Sequence, residues 1–271
     1  MIDTFEKYIL PLLYRMSNLE KLDLNLCLST TKTFIDGTYL KKNILDQISR
    51  LENFTFTIKS CLSLSNEIDY RSNEDIQSTF IDFPNNPIVS SVDYFQEKQF
   101  SRCLIYTHPY RLKYHHSITN RFSGGLFECV REVRLYDEHP FEQEFFLRLQ
   151  KSFPFLTRLY IHNFKAQQHK HFSNESKNDD QEFPIIEYPY LTWLSLNVAH
   201  DDYRELFLDE RKVWLSNNVH LNLDYKAMKR ITHSFTRDTT RTNCAKLKSV
   251  CLGITWVSKY VRNYFPHAEI D

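Results

Sequence analysis

Residues 19–24 read Leu19-Glu20-Lys21-Leu22-Asp23-Leu24, and this pattern, Leu-x-x-Leu-x-Leu, returns along the chain. Leu51-x-x-Phe54-x-Phe56, Val130-x-x-Val133-x-Leu135, Leu156-x-x-Leu159-x-Ile161, Leu191-x-x-Leu194-x-Leu196 and Leu247-x-x-Val250-x-Leu252 are further copies. A weaker copy keeps Leu221 and Leu223 in its last two places. Apolar residues two apart predict a short strand with one buried face. Repetition of the motif predicts many such strands side by side, an α/β solenoid in which each unit packs on its neighbours. Such an array offers a broad concave surface, so binding is the first function to consider.

The copies begin at 19, 51, 130, 156, 191, 218 and 247, close to or somewhat above the period of leucine-rich repeats except for the interval between 51 and 130. That interval leaves room for irregular units within 60–129, where Val89–Tyr94 and Cys103–Tyr106 read as the strands of a hairpin. Helical patterns precede several strands. Phe5, Ile9, Leu12, Leu13 and Met16 share one face at helical spacing, as do Leu40, Ile44, Leu45 and Ile48, with Thr38 placed to cap the latter. Phe141, Phe145, Phe146 and Leu149 repeat the pattern, and so do Tyr203, Leu206, Phe207 and Val213. Pro154 and Pro189 fall in the turns before two strands, where proline stops a helix without removing a ladder bond. The expected organisation is a single irregular horseshoe over 1–271, with helix–strand units and a mostly parallel concave sheet. A polar stretch at 167–182, QQHKHFSNESKNDDQE, is expected as a flexible inserted loop.

Composition narrows the function. Of 271 residues, 34 are Lys or Arg and 34 Asp or Glu, which argues against overall charge as a grip on nucleic acid. The four glycines, Gly37, Gly124, Gly125 and Gly253, cannot be arranged as a phosphate-cradling loop, and no cofactor is expected. None of the six cysteines forms a C-x-x-C pair. No signal peptide or membrane-spanning run is apparent, so a reduced intracellular setting, cytoplasm or nucleus, is expected.

The stretches MSNLEKLDLNL, TFIDGTYLKKNIL, SRLENFTFTI, SNEDIQSTF, FFLRLQKSFPFLTRLYI, EYPYLTWLSL, FTRDTTRTNCAKLK and YVRNYFPHAEI, in this order, resemble the leucine-rich-repeat-like C-terminal region of F-box proteins. The resemblance covers the whole chain. It implies a non-catalytic interaction module that captures substrates for a ubiquitin ligase. The ligase adaptor would be a partner only in a longer form bearing an F-box, which is not recognised in these residues. The alternative is a stand-alone scaffold or inhibitor-like binding protein without a ligase role. The family consensus places Asn or Cys three residues after the last strand Leu. Cys27 holds that place in the first copy, but Lys59, Glu138, Phe164, Ala199 and Thr255 hold it elsewhere, so the turns need other partners.

If the Leu positions are buried, the residues between them face the concave surface. These are Lys21, Asp23 and Asn25; Asn53, Thr55 and Thr57; Glu132, Arg134 and Tyr136; Arg158, Tyr160 and His162; Trp193, Ser195 and Asn197; His220, Asn222 and Asp224. The middle rows gather Arg134, Tyr136, Arg158, Tyr160, His162 and Trp193, and Tyr, Trp and Arg dominate interface energies. This is the candidate site for an unknown protein ligand. The competing reading has Trp193 and the tyrosines merely covering the sheet. Leu24, Leu159 and Leu196 are packing residues. His169 and His171 with Asp179 and Asp180 could be drawn as a metal site, but a polar loop is a poor frame for fixed ligands. A thiol centre from Cys251 with His220 or His162 lacks an orienting third group, and no enzyme is expected. Asp201-Asp202 suits a helix N-terminal turn. The basic residues Arg230, Arg237, Arg241, Lys246 and Lys248 read as a solvated face.

Overall fold

The computed structural model describes residues 5–30, 33–64, 70–81, 83, 87–168, 184–253 and 258–271. The chain divides into two compact units, Met1–Tyr110 and Arg111–Asp271. The repeat strands fall into two principal sheets rather than one, and each unit is described by itself.

In the first unit a π-helical turn, Phe5–Ile9, runs into α1 (Leu10–Tyr14). The expected apolar face is displaced here. Phe5, Leu10 and Leu13 are buried, whereas Ile9, Leu12 and Met16 are exposed. A π turn bonds i to i+5, so Phe5 aligns with Leu10 and the face rotates away from the 3.6-residue pattern. Next come β1 (Lys21–Thr30), α2 (Gly37–Leu40) with a second π turn at Lys41–Leu45, β2 (Asn53–Ser63), α3 (Asn73–Ser78), β3 (Ile88–Phe95) and β4 (Phe100–Thr107). The sheet order is β1-β2-β4-β3. Only β1 and β2 pair in parallel; β4 is antiparallel to both its neighbours, and β3–β4 is a hairpin in the interval where one was expected. Leu40, Ile44 and Ile48 are buried in the core with Phe56, Ile58 and Ile105.

The cap of α2 is Asp36, not Thr38: its carboxylate accepts the Tyr39 N–H at 2.9 Å and pairs with Arg71 at 2.5 Å. The following glycine fills a tight place. The Gly37 N–H donates to Thr79 Oγ1 at 2.8 Å, and a Cβ there would stand 2.1 Å from the Thr79 carbonyl oxygen.

The second unit holds β5 (Tyr114–Ile118), β6 (Glu132–Tyr136), α4 (Gln143–Ser152), β7 (Arg158–His162), β8 (Ile186–Glu187) and β9 (Trp193–Ser195). It continues with α5 (Asp201–Leu208), β10 (Val213–Trp214), β11 (His220–Asn222), α6 (Tyr225–Ile231), α7 (Arg241–Ala245), β12 (Ser249–Cys251), α8 (Lys259–Tyr264) and β13 (Glu269–Ile270). Seven strands form one parallel sheet in the order β13-β12-β11-β9-β7-β6-β5, so, apart from the small β8–β10 pair, each strand lies beside its sequence neighbour. Parallel neighbours require a crossover; α4 supplies it after β6, α5 after β9, α6 and α7 after β11 and α8 after β12, whereas the connection from β5 to β6 has no helix. Val133, Leu159, Leu194, Leu221 and Val250 align across the ladders, all at 1% exposure or less. Phe141, Phe145, Phe146 and Leu149 of the α4 region are buried as expected, as are Tyr203, Leu206 and Phe207 of α5, whereas Val213 belongs to β10. The expected insert at 167–182 lies outside the described residues beyond Gln168.

Polar side chains close the connections of this unit. Buried Asn163 donates Nδ2 to the His139 carbonyl at 2.7 Å and accepts the Lys165 N–H at 2.8 Å. Arg204 of α5 donates Nε to Leu196 O at 3.1 Å and Nη2 to Asn197 O at 2.9 Å, closing the turn after β9. Buried Asn243 donates Nδ2 to Val213 O at 2.7 Å. Leaving such a buried carbonyl without a donor costs about 1–3 kcal/mol.

Two substitutions check this account. Gly37→Ala should lower the stability of the first unit by about 1–3 kcal/mol in denaturant melts, since the backbone carbonyl of Thr79 must shift. Asn163→Ala should lower that of the second unit by about 1–3 kcal/mol. Unchanged midpoints would contradict the assigned contacts.

Candidate interaction face

The interleaved residues of the seven-stranded sheet form rows across it. One row, matched by strand register, is Tyr114, Glu132, Arg158, Trp193, His220, Ser249 and Glu269. The next is His116, Arg134, Tyr160, Ser195, Asn222 and Cys251. Tyr136 pairs with His162 in a third, shorter row. Neighbouring strands stand ~4.8 Å apart, close enough for long side chains to meet.

They do meet, and Glu132 is the hub. Its carboxylate accepts Arg134 Nε at 2.9 Å, approaches His116 Nε2 at 3.1 Å and pairs with Arg158 Nη1 at 3.7 Å. Partial burial works to raise the Glu132 pKa, but the hydrogen bonds from Arg134 and His116 outweigh it and hold the carboxyl below its ordinary value. The Arg134 guanidinium lies over the Tyr160 ring, 4.5 Å from its centroid, a cation–π contact between adjacent strands. Tyr136 meets His162 edge-on at 5.3 Å, and His162 meets Phe164 at 5.4 Å. Tyr114 stacks on His116 at 4.7 Å.

The six candidate residues therefore lie on one face, but they are not equivalent. The Arg134 and Arg158 side chains keep 52% and 61% of their surface exposed. Trp193 is half-buried, stacks on His220 at 6.1 Å and has a buried indole N–H without a hydrogen-bond partner among the described residues. Trp193 thus also covers the sheet. Glu132, His116 and Tyr114 belong to the same cluster and are absent from the sequence-derived set. Glu132 was legible as a face residue, two before Arg134 on the same strand. Tyr114 and His116 sit on β5, which carries no Leu motif.

The other chemical candidates do not converge. Cys251 is in register with Asn222, while His220 Nδ1 lies 2.6 Å from Ser249 Oγ. All six cysteines are free thiols, and burial pushes Cys103 up to about 12. His169, His171, Asp179 and Asp180 lie outside the described residues. Among the described residues no group of three or more His, Cys, Asp or Glu is placed to hold a metal, and no helix is long and apolar enough to cross a membrane. The basic residues near the C-terminus are divided: Arg230 pairs with Asp201 at 2.5 Å and Arg237 with Glu205 at 3.4 Å. Asp201 sits in the first turn of α5, where it also holds Arg204 at 2.7 Å.

No family model matches this sequence, and neither a curated protein nor a solved structure does.

The Glu132 hub carries a pH dependence of known sign. A carboxyl held below its unfolded value of 4.5 contributes stability in full above that value and loses it as pH falls through the lower folded value. Carboxyl titration by NMR should give Glu132 a midpoint below 4.5, and Glu132→Gln should remove part of the acid sensitivity of the second unit. A midpoint at or above 4.5 would contradict the hub.

Proposed function

We propose that this protein is a non-catalytic protein-interaction module and that the open face of the seven-stranded sheet receives the partner. The supporting observation is the cross-strand cluster of Arg134, Arg158, Tyr160, Tyr136, His162 and Trp193, which alternates with wholly buried aliphatic residues. Such large side chains, displayed from a rigid sheet, suit recognition better than catalysis: they provide contact area and charge without an enclosed pocket around a nucleophile or base. The helix–strand crossovers and sequential parallel order support reading the second unit as an irregular leucine-rich-repeat solenoid whose face is concave.

The resemblance to the C-terminal region of F-box proteins extends this proposal. In that setting the face selects a substrate for ubiquitination, and a longer form carrying an F-box engages the ligase adaptor. The runner-up is a scaffold or inhibitor-like binder with no ligase role. Co-precipitation of the adaptor with a naturally expressed longer form separates the two.

The test compares the intact chain with an Arg158→Ala/Trp193→Ala chain in affinity capture. Arg158 makes one long, exposed ion pair, worth about 0–1 kcal/mol, so Arg158→Ala alone should leave the melting temperature nearly unchanged. The double variant should lose the partners that the intact chain retains. Equal recovery of the same partners by both chains would contradict a recognition role for this face.

A further inference from the structure

The following inference rests on that reading of the face and specifies the chemistry of what binds there. Arg134 and Arg158 project from adjacent strands, and between them stands one carboxylate, Glu132. That carboxylate is also engaged by His116, so three basic side chains converge on it. A guanidinium carries five N–H donors. Arg134 commits Nε to Glu132, and Arg158 reaches the same group only at 3.7 Å. Among the described residues neither guanidinium has another carboxylate or carbonyl as an acceptor. Both side chains remain more than half exposed, and Tyr160 and Trp193 flank them in register.

Two guanidiniums sharing one carboxylate leave an excess of positive charge and unfilled donors, and the planar guanidinium fork is matched to a planar carboxylate. The surrounding rows decide which anion fits. A nucleic-acid strand or an anionic membrane needs a continuous track of cations. Here Glu132 lies inside the cluster, and Glu269 closes the same row at the far edge of the sheet. The excess charge is local and bordered by aromatic rings, which matches a short acidic segment with adjacent apolar side chains.

We propose that the face binds an acidic peptide segment of a partner protein, with a Glu or Asp carboxylate seated between Arg134 and Arg158 and a neighbouring residue against Tyr160 and Trp193. In this arrangement Glu132 acts as an internal competitor: it holds the two arginines in place and weakens their attraction for the incoming acid.

The test is selection of a random peptide library, displayed on phage, against the full chain at about 50 mM salt, followed by affinity measurement on synthesised peptides. Recovered sequences should be enriched in Asp and Glu. Their affinity should fall about tenfold or more in Arg134→Gln/Arg158→Gln, and also in the unaltered chain on raising salt to about 500 mM. Glu132→Gln should bind the same peptides more tightly, an increase that loss of folding cannot produce. Recovery of no peptide, of peptides without acidic enrichment, or of peptides indifferent to both the arginines and salt would overturn the proposal. So would preferential binding of oligothymidylate or anionic vesicles through the same arginines. Non-acidic peptides lost on Tyr160→Ala/Trp193→Ala would sink this inference alone. Peptides independent of every face residue would sink the interaction-face reading with it.

Discussion

Register is the constraint on which the second unit depends. In a parallel sheet, sliding one strand by a single residue exchanges its buried and open faces. Leu159 opposite Leu194, and Leu194 opposite Leu221, keep apolar groups on one side of these ladders. The same alignment places Arg158 beside Trp193 and Arg134 beside Tyr160 on the other side. The core and the candidate face are therefore consequences of one pairing. The burial of each aliphatic residue, about 1.5–3 kcal/mol, opposes any slip that would disperse the charged cluster.

Polar side chains secure what the aliphatic ones align. Arg204, Asn163 and Asn243 reach main-chain carbonyls in the connections within the second unit, where no regular ladder exists to satisfy them. Two of these donors, Arg204 and Asn243, come from helices, which permits connections of unequal length and lets short strands such as β9, β11 and β12 hold their places. Glu132 has the corresponding role on the open face, joining β5, β6 and β7 through His116, Arg134 and Arg158.

Much of this arrangement was legible in the sequence, because alternation of apolar residues is a local property. The motifs containing Leu22, Leu159, Leu194 and Val250 each mark a strand, and Phe145, Phe146 and Leu149 mark a buried helix face. What escaped was set by local departures from regular geometry or by distant partners. In β5 the residue Ser117 has a positive φ of 63°, and register shifts between His116 and Ile118. The extra residue returns Ile118 to the buried side, so His115-His116-Ser117-Ile118 does not alternate, and a strand bearing two site residues carried no readable signature. The π turn at Phe5–Ile9 likewise rotated a helix face that 3.6-residue spacing had placed elsewhere. The division of the repeat strands between a mixed and a parallel sheet depends on long-range pairing of β2 with β4, which no motif announces. Glu132 could be assigned to the face beside Arg134, but its partners His116 and Arg158 lie on the flanking strands and become visible only once those strands are paired.

The central claim is that apolar alternation, held in register, creates both the core and the displayed face. An alanine series along Arg158, Leu159, Tyr160, Ile161 and His162, read by denaturant unfolding of the second unit, tests it most directly. Leu159→Ala and Ile161→Ala should each cost about 2–5 kcal/mol, with the three intervening changes each costing about 1 kcal/mol or less. A series without that two-residue alternation, or with its largest losses at Arg158 and His162, would contradict the account.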